Sequence, residues 1–160
     1  MSTELYKAIK TLKGENLDQE DKEELLRFFV VTKSSVIRNQ IAFILSDAKF
    51  NKAIPIIIDK IKEKELSNNN GSLVYALENL DVKEYFIEFV KMICELEYEP
   101  RYQAYEIVIK FYREISGEIK DEALAILQEK RILLEITADD KGPDSSLIFV
   151  EQTIELLNRK

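Results

Sequence analysis

The sequence predicts an all-α protein, a short α-solenoid of antiparallel helix pairs with about eight or nine helices in one domain, 1–160. Three observations carry this. Val36–Ile61 and Asn68–Ile93 superpose at an offset of 32 residues. Ile41 then falls on Leu73, Leu45 on Leu77, Ile54 on Phe86, Ile57 on Phe89, Ile58 on Val90 and Ile61 on Ile93. Apolar residues recur at i, i+3, i+4 and i+7, the period of a helix with one buried face. Finally, 4 Gly and 3 Pro in 160 residues leave little turn chemistry for many short strands.

The elements follow in order. Leu5, Ala8, Ile9 and Leu12 mark a helix over about 3–13, stopped by Gly14 through a left-handed conformation. Asp18 caps a helix over about 19–33, whose first turns carry Glu20, Asp21, Glu23 and Glu24 against the positive end of the dipole. Its second half, Leu25 to Val31, is apolar enough to be covered on two sides. Ser34 or Ser35 caps a helix running to about Ala48, with Ile37, Ile41, Ile44, Leu45 and Ala48 as its stripe. The next helix, about 51–65, holds Pro55 in its first turn, where the missing N–H costs little.

Asn68-Asn69-Asn70-Gly71 is a turn, and Asn70 or Ser72 caps a helix ending near Leu80. Asp81 caps the following helix, to about Leu96. Glu97-Tyr98-Glu99-Pro100 forms a joint, because proline disfavours helix at the residue before it, so the next helix starts near Arg101. Ala104, Ile107, Val108 and Phe111 lie 31 residues after Leu73, Ala76, Leu77 and Leu80. The repeats are clear at 34–65 and 68–96 and looser at 101–136. A helix over about 119–136 precedes a loop at Asp139–Asp144. Asp144 then caps a closing helix, about 145–158, with Leu147, Val150, Ile154 and Leu157 on one face.

The strings NNNGSLVYALENLD (68–81) and VIRNQIAFILSDAKFNKAIPIII (36–58) resemble the HEAT-like repeats of small bacterial proteins. Arg38 stands near the start of the first helix and Pro55 near the start of the second. The resemblance implies a protein-binding surface lined by the second helix of each pair. Some relatives are enzymes, namely alkyl-base DNA glycosylases and bilin lyases. This chain departs from the glycosylases: it has no Trp to stack on a base, and it is acidic.

Charge narrows the function. The net −7 argues against a nucleic-acid partner, which draws on clustered Lys and Arg. Residues 78–99 hold seven acidic and two basic side chains, a net −5. Val82, Phe86, Phe89, Val90, Ile93 and Leu96 form one face of the helix there. Glu84, Glu88, Lys91 and Glu95 form the opposite stripe, and Glu97, Tyr98 and Glu99 extend it. A solvated helix face is the ordinary reading of such a stripe. Its place at mid-array, on the binding side that the resemblance implies, makes it a candidate for a basic protein partner.

Tyr98 and Tyr102 are the better contact residues, and Tyr105 and Tyr112 the better core residues. The candidate partner-binding set is therefore Glu84, Glu88, Lys91, Glu95, Glu97, Tyr98, Glu99 and Tyr102. No catalytic residue, metal site or cofactor is expected. The Asp139–Asp144 loop lacks the ligand spacing of a calcium loop. Cys94, the single cysteine, lies in an apolar run and reads as a buried thiol. No signal core or membrane-spanning run is present, so a cytoplasmic location is expected. The best specific expectation is a non-enzymatic immunity or antitoxin protein that neutralises a basic toxin, such as a nuclease. The alternatives are a HEAT-like enzyme and a general scaffold.

Overall fold

The computed structural model describes residues 9, 11–63, 70–137 and 145–159. Among them there are eight α-helices and no strand. They are α1 (Gln19–Val31), α2 (Ser35–Asp47), α3 (Ile54–Ile61), α4 (Gly71–Leu77), α5 (Phe86–Glu95), α6 (Tyr98–Phe111), α7 (Gly117–Thr137) and α8 (Ser146–Asn158). Three short 3-10 turns, Gly14–Asn16, Asn51–Ala53 and Lys83–Tyr85, precede α1, α3 and α5. The chain forms two compact units, Met1–Asp81 and Val82–Lys160.

The 32-residue offset of the sequence recurs in helix starts and in burial. α3 and α5 begin 32 residues apart, at Ile54 and Phe86, and each is entered through a 3-10 turn. Burial follows the same offset. Ile41 and Leu73, Ala42 and Val74, Leu45 and Leu77, Ile57 and Phe89 are all fully buried. Ile61 and Ile93 are no more than 1% exposed. Equivalent positions also touch inside the first unit, where α2 packs on α4. The rings of Phe43 and Tyr75, 32 residues apart, meet edge to face at 6.0 Å.

Capping explains where the helices of the first unit stop. Asp18 and Asp21 form a reciprocal capping box at the start of α1. The Ser34 hydroxyl accepts from Ile37 N–H at the start of α2. α2 ends in a Schellman arrangement: Lys49 N–H donates to Ser46 C=O and Phe50 N–H to Leu45 C=O. Lys49 takes the left-handed conformation, φ 52°, that glycine usually occupies there. Its ammonium donates to the Asn79 carbonyl at 2.7 Å, and the Asn51 carboxamide accepts from Asp81 N–H at 3.1 Å. The loop after α2 is thereby tied to the loop after α4.

Several boundaries differ from expectation. Gly14 is not left-handed, since no described glycine has positive φ. It is required by proximity: a Cβ there would lie 2.5 Å from Ala48 N and 2.6 Å from Ile44 O, at the end of α2. In the apolar half of α1, Leu25 and Phe29 are buried, Leu26 and Phe28 half-buried, and Val30 and Val31 are 49% and 69% exposed. α3 stops at Ile61, and α4 stops at Leu77 rather than near Leu80. Asn70 works backwards: its side chain donates to the last carbonyl of α3, Ile61 C=O, at 2.7 Å and does not cap α4. Asp81 caps no α-helix, because the Lys83–Tyr85 turn intervenes. Arg38 is buried in α2, and that burial lowers its pKa against the raising effect of Glu63.

In the second unit α5 packs against α6, α7 and α8. α6 begins at Tyr98, not Arg101, so the joint is only Leu96-Glu97. Pro100 is the third residue of α6, where its missing N–H has no intrahelical acceptor to lose, and this outweighs the constraint on Glu99. α7 starts two residues earlier than expected, at Gly117. α8 closes the unit against α7 and α6. Its buried face is rotated: Phe149, Val150, Thr153, Leu156 and Leu157 are buried, while Leu147 and Ile154 are only half-buried. Ser145 accepts from Ile148 N–H as its cap. The expected cap Asp144, the loop at Asp139–Asp144, Asn68 and Asn69 of the turn, and most of the helix over 3–13 lie outside the described residues.

Three outcomes test this packing. Phe89, fully buried in α5, should cost about 3–5 kcal/mol when changed to Ala, measured by chemical denaturation. Gly14→Ala should cost about 1–3 kcal/mol, because the obstructing atoms are backbone and not the tips of side chains. Cys94 is 5% exposed, and burial pushes its thiol up to about 11. It should resist a thiol-specific reagent at neutral pH in the native state and react on unfolding.

Candidate protein-binding surface

α5 determines which candidate side chains reach solvent. Phe86, Phe89, Val90, Met92, Ile93 and Cys94 are all buried. With 3.6 residues per turn, they leave one narrow arc holding Ile87, Glu88, Lys91 and Glu95. The expected stripe therefore lies on the outer side of the best-packed helix in its unit. Lys91 and Glu88 are half-buried and paired at 3.3 Å, so part of their charge is spent on each other. Glu95 is exposed in the last turn.

Glu84 sits in the 3-10 turn before α5, beside Lys83, which pairs with Glu114 and lies 5.9 Å from the Phe111 ring centre. Five of the other seven candidates lie at or beyond the opposite end of α5. α5 has 10 residues, about 15 Å of helix. The structure thus divides the set. Glu84 stands at the start of α5, Glu88 and Lys91 follow on its outer arc, and Glu95, Glu97, Tyr98, Glu99 and Tyr102 gather where α5 passes into α6. Glu97, Glu99 and Glu95 are all exposed.

The two tyrosines anchor that gathering. Tyr98 is 47% and Tyr102 42% exposed, whereas Tyr105 and Tyr112 are half-buried. One turn of α6 separates Tyr98 from Tyr102, and their ring centres lie 6.5 Å apart. Tyr98 also meets Phe149 of α8 edge to face at 5.9 Å, as Tyr105 does at 5.6 Å. Arg101 lies over the same Phe149 ring and donates to the Leu96 carbonyl at 2.7 Å, bracing the joint. An exposed ring braced this way has little side-chain entropy left to lose on binding. The Glu106 carboxylate beside Tyr102 raises the phenol's pKa, first by its charge and then by accepting its hydrogen bond. Glu106 and Phe149 are the neighbours that sequence reasoning missed. The i, i+4 spacing from Tyr102 signals the first, and nothing local signals the second.

Several of these acids also have local structural reasons. Glu88 lies in the first turn of α5 and Glu99 in the first turn of α6, where carboxylates favour the helix dipole. Glu95 is different, because the last turn of a helix is its negative end. There a carboxylate is disfavoured by about 0.3–1 kcal/mol.

The first unit carries an open groove of about 390 Å³ between α1 and α3, floored by Leu26, Val30 and Ile56. Its rim carries both signs, with Glu23 and Lys52 paired at 3.1 Å. Such a rim selects no sign of partner. Among the described residues no group of acidic, Cys or His side chains is placed to hold a metal ion. No helix among them is long and apolar enough to cross a membrane. Compared with known proteins, the chain matches no family model, no curated protein and no solved structure.

Proposed function

We propose that this chain is a HEAT-like, non-enzymatic protein-binding module acting in the cytoplasm, and that it binds a basic protein through the junction of α5 and α6. In its most specific form the reading is an acidic immunity or antitoxin protein. Its carboxylates would stand where phosphates bind in a basic toxin, such as a nuclease, and block the substrate site. The repeat supports the HEAT-like part: buried residues and 3-10 entries recur 32 residues apart.

One observation carries the binding part. Tyr98, braced by Phe149, and Tyr102 beside it are about half exposed, with Glu95, Glu97 and Glu99 nearby in the chain and Glu106 beside Tyr102. A rigid aromatic centre with a charged rim is the anatomy of a binding hot spot. Glu95 adds weight, since it holds a negative charge where its own helix disfavours one.

The test begins with the immobilised chain and the cytoplasm of its native host, retained proteins being eluted with salt and identified. Rate constants for the recovered partner are then measured at low and high salt. Glu95→Lys should leave the melting temperature unchanged or raised, because it suits the helix dipole, yet slow association about tenfold at low salt. That loss should shrink as salt rises. Glu84→Lys, at the far end of α5, should slow association less. Tyr102→Ala, whose ring is not among those meeting Phe149, should cost about 2 kcal/mol through faster dissociation. Unchanged affinity in both Glu95→Lys and Tyr102→Ala would remove this surface as the binding site.

A further inference from the structure

One concavity of the second unit runs against the sign of the chain. It holds about 390 Å³ and is lined by Tyr112, Arg113, Ile115, Lys120, Leu157 and Arg159. Tyr112 and Arg113 follow the end of α6, Ile115 and Lys120 stand on either side of the start of α7, and Leu157 and Arg159 lie at the end of α8. Three helix ends thus bring three cations and no acid to the lining of one cavity, in a chain of net −7.

The nearby acids leave these cations unpaired. Glu114 pairs with Lys83. Glu118 and Asp121 stand two residues and one residue from Lys120, spacings that do not share a helix face. Glu155 lies one turn before Arg159, which has left α8 with an extended backbone, φ −65° and ψ 132°. Among the described residues no carboxylate forms an ion pair with Arg113, Lys120 or Arg159. Arg113 is held in place by its neighbour. Its Nε donates to the Tyr112 hydroxyl at 2.9 Å, and its guanidinium carbon lies 5.4 Å from the Tyr112 ring centre. That leaves its two Nη groups, which can grip a phosphate as a fork.

Two of the cations have a local reason. Arg113 and Arg159 each follow the end of a helix, whose negative pole favours them. Lys120 has no such reason. It is the fourth residue of α7, near the positive pole, and it is half-buried there. A cation set against its own helix dipole and facing two more across a cavity is relieved by an anion between them.

We infer that this pocket binds a phosphate monoester of a small organic molecule. A phosphate monoester carries close to two negative charges at neutral pH and three acceptor oxygens, which matches three converging cations better than a single carboxylate does. Ile115, half-buried, and Leu157, buried, give the organic part an apolar wall. The volume falls within the range of small-molecule sites. The pocket shares no residue with the α5–α6 junction, so it stands or falls independently of the proposed function.

Isothermal titration calorimetry of the full chain at low salt tests it, with phenyl phosphate, inorganic phosphate and benzoate as ligands. Phenyl phosphate should bind one to one. Inorganic phosphate, which lacks the ring, and benzoate, which has the ring but one charge, should each bind about tenfold more weakly. Lys120→Gln should weaken phenyl phosphate about tenfold. It should leave the melting temperature of the free chain unchanged or raised, because it removes a cation from the positive end of α7. Arg113→Lys keeps the charge and loses the fork, and should weaken binding about fivefold. Lys33→Gln removes the same charge from an exposed site in the first unit and should change nothing. No saturable binding of phenyl phosphate, equal affinity for inorganic phosphate or benzoate, or a loss in Lys120→Gln no larger than in Lys33→Gln would each overturn the inference.

Discussion

Four buried positions at i, i+3, i+4 and i+7 anchor one helix in each unit: Ile54, Ile57, Ile58 and Ile61 in α3, and Phe86, Phe89, Val90 and Ile93 in α5. Fully burying one such side chain is worth about 1.5–3 kcal/mol, so four approach the net stability of a whole small domain. Neither α3, with 8 residues, nor α5, with 10, would hold as an isolated helix in water. Their packing makes them helical. The polar ties at the loops refine what that burial sets: Lys49 on Asn79, Asn51 on Asp81 and Asn70 on Ile61.

This is why the all-helical fold and its buried faces were legible in the sequence and the helix ends were not. The 32-residue offset is a pattern of burial, and burial is what fixes a helix face. Helix ends depend on single hydrogen bonds whose partners lie elsewhere in the chain. Asn70 has the chemistry of an N-cap, yet it caps the end of the preceding helix, because Ile61 C=O comes within 2.7 Å. Gly14 has the chemistry of a helix stop, yet it is there because the end of α2 leaves no space for a Cβ. Pro100 resembles a break and is instead a third helical residue. In each case the residue type was informative, but the neighbour that gives it meaning is distant in sequence.

The candidate surface was partly legible for the same reason. Period alone assigned Glu88, Lys91 and Glu95 to the outer arc of α5, and spacing distinguished Tyr98 and Tyr102 from Tyr105 and Tyr112. Period cannot say that Glu84 stands a helix length from the tyrosines, nor that Phe149 of α8 braces Tyr98.

The junction of α5 and α6 combines two interactions of different range. Its exposed carboxylates act through water over about 8 Å at physiological ionic strength, and salt shortens that reach. Its rings act only at contact, where Tyr98 is held by Phe149 and Tyr102 lies beside it. Salt therefore separates the two: on such a surface charge governs encounter and packed rings govern residence.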